Sequence, residues 1–195
     1  MIHLPKNKRR DYPYEYIEKF IMESNELSNK QGILDQQSIL CWNELIKHRR
    51  INEVNLAVAY QLLKGETLPM LDLDTLNLRR RSKITTKTTD SFQAPPWELC
   101  KYFIAGWSLF APDYGNTILK ALVVHREFMI ALPYQHLNGR FARLLFLWMT
   151  LRNRLPPHYF HSIGRDAYHD LIHNNTYLSG SLRPTYLTPY ITHGQ

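Results

Sequence analysis

One short stretch of the chain could do chemistry: Leu132-Pro133-Tyr134-Gln135-His136-Leu137-Asn138-Gly139-Arg140-Phe141-Ala142-Arg143. Asn138-Gly139 stands where an apolar helical pattern begins. Asn138 is therefore expected to cap that helix, and Gly139 to let a ligand approach the backbone closely. A helix start exposes unpaired N–H groups and a partial positive charge, both of which favour phosphate. Arg140 and Arg143 lie within one turn of the same end. Together Asn138, Gly139, Arg140 and Arg143 are expected to cradle a polyphosphate; the plain alternative is a loop–helix junction with surface arginines.

The remaining candidates are weaker. His169 and His173 stand at i, i+4 on an expected helix, but no Glu follows His169 as a zinc-protease helix requires, and His158 and His161 are only loosely near. They are read as surface histidines, and no metal site is expected. Lys6 to Arg10, and Arg79–Arg81 with Lys83, could meet nucleic-acid phosphates, yet neither run sits in a helix-turn-helix or interleaves with aromatics. A solvated basic face is the preferred reading, so nucleic acid is disfavoured as a partner. Glu98, Glu127 and Asp113 form no paired-carboxylate pattern, and no Ser-His-Asp or Cys-His spacing is persuasive.

The elements that position the stretch follow from apolar spacing and end signals. Tyr16, Ile17, Phe20, Ile21 and Leu27 predict a helix over about 14–28, broken by the turn formers Asn25 to Gly32. Asp35 is placed to cap a helix carrying Ile39, Leu40, Trp42, Leu45 and Ile46. Asn52 is placed to cap the next, which carries Val54, Leu56 and Tyr60 and closes at Gly65. Between Leu68 and Phe92 the helical period vanishes. The Thr-rich run Thr85-Thr86-Lys87-Thr88-Thr89 suits a short β-hairpin. Pro95-Pro96 then opens a helix through Trp97, Phe103, Trp107 and Leu109. Helices are expected over about 117–131 and 139–153, with a shorter one near 165–173. The four tryptophans, Trp42, Trp97, Trp107 and Trp148, are assigned to the core.

The stretch resembles the signature of the Fic (filamentation induced by cAMP) family, His-Pro-Phe-x-(Asp/Glu)-Gly-Asn-Gly-Arg-x-x-Arg. Pro133, Tyr134 (for Phe), Asn138, Gly139, Arg140 and Arg143 match it, and His125-x-x-Phe128 stands before the loop where the family commonly has His-x-x-Phe. Leu155-Pro156-Pro157 resembles the usual end of the following helix, and Arg165-Asp166-x-Tyr168 a common element after the motif. The resemblance implies a mainly α Fic fold with a small β-hairpin flap. It also implies transfer of AMP from ATP to a target hydroxyl, with the motif His as base, the acidic residue holding Mg²⁺, and the flap aligning an extended target segment.

Three positions depart from the signature. Leu132 stands at the base and has no lone pair, so general-base help of roughly 10²–10⁴-fold is missing there. His136 stands at the metal position, and a neutral imidazole serves Mg²⁺ poorly. Leu137 replaces the first Gly, where a Cβ disfavours positive φ and crowds a phosphate. His136 as a displaced base is the weaker alternative to a capping or solvent-facing His. A family inhibitory helix, Ser/Thr-x-x-x-Glu-Gly/Asn, has its nearest match in Ser24, Ser28 and Asn29, with Ser28 at the Glu position. That exchange is expected to leave Arg143 without its inhibitory partner.

Composition bounds the rest. The chain has 195 residues, 44% hydrophobic and 21% charged, which suits one globular domain: an arm over 1–13, a helical domain over 14–175 and a tail over 176–195. Lys+Arg 24 against Asp+Glu 17 gives +7, which favours anionic partners. Cys41 and Cys100 are the only cysteines, so a disulfide framework is excluded. No apolar run reaches the roughly 18 residues of a membrane span, and no secretory signal is read. The expected location is the cytoplasm, its own or that of a cell into which it is delivered. The function expected is that of a relative of protein adenylyltransferases with impaired chemistry and a retained phosphate pocket. Its ligands would be ATP or another nucleotide, with Mg²⁺ doubtful, and its partner a protein target or regulator. An active transferase with a relocated base and a pure protein-interaction pseudoenzyme are the alternatives.

Overall fold

In the computed structural model, residues 14–28, 32–65, 78, 95–155 and 160 are described. They form α1 (Tyr14–Leu27), α2 (Gln36–Lys47), α3 (Glu53–Lys64), a 3₁₀ turn (Trp97–Leu99) running into α4 (Cys100–Tyr114), α5 (Ile118–Ala131) and α6 (Asn138–Arg152). The local end signals act as expected. The Asp35 carboxylate accepts from the Ser38 amide at the start of α2. Asn52 and Asn55 satisfy each other's backbone in a capping box at the start of α3. Gly65, at φ 82°, closes α3 in the left-handed conformation that glycine adopts without a Cβ clash.

α6 is the axis of the bundle. Every residue from Arg140 to Leu151 is buried, as suits a helix that is apolar on most of its circumference. α5 packs most extensively against it, α2, paired with α3, and α1 also pack on it, and α4 packs on α5 and α3. Aromatic side chains fill the centre. The Tyr60 ring stacks on Tyr134 at 3.9 Å, and Phe141 meets both edge-on, at 5.7 and 5.5 Å. Phe128 joins them to Trp107. Such pairs contribute about 0.5–1.5 kcal/mol each beyond their area.

Some apolar positions are not core. Trp97 is 39% exposed, because it lies in the one-turn 3₁₀ segment ahead of the stretch of α4 that meets the bundle. Leu40, Val54 and Leu109, taken from the spacing as apolar helix positions, also point outward. Thr85 to Thr89, read from the sequence as a hairpin, together with residues 1–13, 176–195 and the helix expected near 165–173, lie outside the described residues.

Candidate functional site

The loop between α5 and α6 is held at both ends by leucines in the left-handed region, Leu132 at φ 42° and Leu137 at φ 58°. Each costs about 1–2 kcal/mol against an ordinary backbone, so the intervening residues must hold the conformation. They do so through several contacts. The Tyr134 amide donates to Asn138 Oδ1 at 3.0 Å, and Asn138 Nδ2 donates back to the Tyr134 carbonyl at 2.7 Å. The Tyr60 hydroxyl donates to the His136 carbonyl at 3.0 Å and accepts from the His136 amide at 3.4 Å. Leu78 forms an isolated antiparallel bridge with Tyr134 in the motif loop.

Asn138 therefore does not cap α6. The cap position belongs to Leu137, which supplies no side-chain hydrogen bond, while Asn138 is the first helical residue. Its amide is committed to the loop behind it. Its donor and its acceptor both meet Tyr134, so the side chain pins the turn behind α6.

Leu132 is buried and presents only carbon where a base would stand. The His136 side chain is exposed, while its backbone is held by Tyr60. Gly139 leaves room for Arg143 itself: a Cβ there would stand 3.3 Å from Arg143 Nη1.

Both motif arginines are buried, and both point into the bundle. Arg140 Nη2 donates to Asp35 Oδ2 at 2.5 Å and to Ser38 Oγ at 2.7 Å. Asp35 Oδ2 also accepts from Asn25 Nδ2 at 2.5 Å and from Ser38 Oγ at 3.0 Å. Arg143 Nε donates to Ser24 Oγ at 2.8 Å, and its Nη2 donates to the Ser24 carbonyl at 2.8 Å and to Ser28 Oγ. Ser28 stands where the inhibitory Glu would, so Arg143 lacks that partner, yet it is still held by α1. Ser28 is short, but Arg143 reaches it, and the Ser24 carbonyl and hydroxyl supply two more acceptors. Asn29 lies outside the described residues. The arginines thus join α6 to the end of α1 and the start of α2.

Burial raises the Asp35 carboxyl, but the Ser38 amide, the Arg140 guanidinium and the Ser38 and Asn25 side chains outweigh it and hold the pKa below the ordinary 3.8. On α5, burial first and the neighbouring Arg143 charge second push His125 down to about 3, so it is neutral at physiological pH. It packs as a ring against Phe146 and Phe160. Among the described residues no group of three His, Cys, Asp or Glu side chains is placed to hold a metal ion.

Sequence reasoning missed Ser38 and Tyr60 as partners of the loop and its helix, and saw Asp35 only as a cap. A cap is local and legible; the second role of Asp35 depends on an arginine 105 positions away.

A search of solved structures finds a likeness to a Fic domain containing signaling protein from Bacteroides thetaiotaomicron. The TM-score is 0.61 and the identity 18%, over 82% of this chain and 71% of that one. No family model matches the sequence, and no curated protein matches it. The chain has the Fic-domain fold: a helical domain whose central helix starts at the motif loop. Among the described residues no helix is long and apolar enough to cross a membrane.

Proposed function

We propose that this is a Fic-fold protein without AMP-transfer chemistry, which acts by binding a protein partner. Its motif arginines hold the bundle together instead of holding ATP. The observation that carries this reading is the commitment of both guanidiniums to α1 and α2. A phosphate on Arg140 Nη2 or on Arg143 Nε and Nη2 would have to displace Asp35, Ser38, Ser24 and Ser28 from buried or part-buried hydrogen bonds, each worth about 1.5–3 kcal/mol when one partner is charged. The residues do not fit a bound Mg²⁺–ATP either. Leu132 has no proton acceptor, and His136 offers nitrogen where Mg²⁺ prefers oxygen.

The test is incubation with labelled ATP, Mg²⁺ and candidate target proteins, alongside calorimetric titration with ATP alone. No label transfer and no binding at millimolar ATP are expected. Leu132→His alone is expected to stay silent, because a restored base has no positioned phosphate to work on. Transfer by the unmodified protein that disappears in Arg140→Ala would overturn the reading.

A second reading keeps a latent phosphate pocket, with α1 as its cover. It is favoured by the neutral character of the α1 groups on Arg143, two hydroxyls and a carbonyl, which a dianionic phosphate could outcompete. It requires ATP binding to appear, or to strengthen at least tenfold, in Ser24→Ala/Ser28→Ala.

A further inference from the structure

The end of α6 remote from the motif loop is built around Arg152. Its Nε donates to the Arg49 carbonyl at 2.9 Å, its Nη1 to the Pro112 carbonyl at 2.8 Å and its Nη2 to Asp113 Oδ1 at 2.6 Å. Trp148 Nε1 donates to the His48 carbonyl at 3.1 Å. The turn between α2 and α3 and the last turn of α4 are thereby fixed on α6. The backbone there needs no ordering to meet a partner, which lowers the cost of binding.

Three arginines stand on this platform. Arg49 and Arg154 are exposed, and neither has an ion-pair partner among the described residues. Arg50, with its side chain 83% exposed, is matched only loosely by Asp113 at 3.8 Å. Arg154 also carries strain. It stands at φ 55° just past α6, where its amide donates to the Leu151 carbonyl and the Leu155 amide donates to the Thr150 carbonyl. That is the place of glycine in a helix ending, because a Cβ strains the left-handed backbone. A cation suits the C-terminal end of a helix, but Arg152 already supplies one in the last turn of α6. Strain kept at an exposed, unpaired side chain points to binding rather than to folding.

Guanidiniums meet carboxylates through paired N–H donors. Phosphates would suit them as well, but acids are interleaved with these arginines. The Asp113 side chain is 60% exposed, and Glu44 holds Lys47 and His48 at the entry to the same turn. A continuous polyphosphate laid across the turn would bring phosphates against those carboxylates. A peptide can set its own carboxylates opposite the arginines and uncharged residues opposite the acids.

We infer that Arg49, Arg50 and Arg154 form a docking site for an acidic segment of a protein partner. The inference rests on the protein-binding reading above and gives that partner its chemistry. The probe is a fluorescein-labelled peptide of alternating Glu and Ser, titrated with the full chain at low salt and read by anisotropy. Saturable binding that weakens as salt rises is expected. Affinity should fall roughly fivefold or more in Arg49→Ser/Arg50→Ser/Arg154→Gly, as suits three exposed ion pairs. Lys19→Ser/Lys64→Ser/Lys101→Ser removes the same charge from exposed lysines elsewhere and should change affinity by less than about twofold. Arg154→Gly alone should weaken binding while the midpoint of thermal unfolding stays equal or rises, a pairing that a structural role would not give. Absence of peptide binding overturns the proposal, and so do equal losses in the two triple variants, which would mean attraction by net charge alone. Tighter binding of an oligothymidylate of equal charge overturns it in favour of nucleic acid. A lowered midpoint in Arg154→Gly overturns it too, because that side chain would then serve its own chain. None of these readouts involves ATP: label transfer would overturn the earlier reading without moving peptide binding, so the two fail separately.

Discussion

Asp35→Asn is the sharpest test of the arginine clamp. The amide keeps Oδ1, so it still accepts from the Ser38 amide at 2.9 Å, and Asn is as good an N-cap as Asp. What changes is Oδ2, which accepts from Arg140, Asn25 and Ser38. An NH₂ in its place sets a donor against three donors and removes the charge facing a guanidinium only 4% exposed. Arg140 is buried and Asp35 half-buried, so stranding the guanidinium costs at most about 3–5 kcal/mol, the range for a fully buried pair, set against about 5–15 kcal/mol for a whole domain. Asp35→Ala should cost about 1 kcal/mol more, because the cap goes too. Urea unfolding followed by tryptophan fluorescence reads both values. In the Asp35→Asn background, Arg140→Met should recover part of the loss by removing the stranded charge. A loss below about 1 kcal/mol for Asp35→Asn, with an unchanged denaturant slope, would mean that Arg140 does not depend on Asp35, and the clamp would fall.

Four further outcomes are expected. His125 holds its folded pKa near 3, below the ordinary 6.5. The unfolded chain therefore binds the extra proton between those values, and stability should fall steadily as pH drops from about 6.5 towards 3; His125→Phe should flatten that limb of a pH–stability curve. Asp35, whose pKa is depressed, contributes stability that is present above the ordinary carboxylate value and lost as pH falls through its lowered folded value. In Asp35→Asn this deeper acid limb should shrink, leaving the part that Glu44 supplies, while the His125 limb stays. Among the described residues the buried Tyr134 hydroxyl has no hydrogen-bond partner, so Tyr134→Phe should keep the stack on Tyr60 and leave stability equal or higher by up to about 1 kcal/mol, read by the unfolding midpoint. A Cβ at Gly115 would stand 2.2 Å from Met149 Sδ. Gly115→Ala should therefore cost about 1–3 kcal/mol by calorimetry, and Met149→Ala in that background should be less harmful than alone.

Much of the local structure was legible in the residues. Asp35, Asn52 and Gly65 mark helix ends because their signals act within three or four residues, and the helices containing Phe20, Trp42 and Tyr60 follow from apolar spacing. The motif stretch and its two arginines were legible as well, and so was the loss of a base at Leu132. Where a pattern is read without its surroundings it misleads: Trp97 and Leu109 fit helical apolar spacing yet face outward, since spacing says which side chains share a face and not which face is covered.

The direction of Arg140 and Arg143 was decided by tertiary structure alone. In sequence both stand beside a helix start and suit a phosphate. In the fold, the end of α1 and the start of α2 arrive at the same place and bring Ser24, Ser28, Asp35 and Ser38, from positions more than a hundred residues away. A guanidinium without water takes whichever acceptors surround it, and that choice depends on packing between distant segments, which no local residue pattern records.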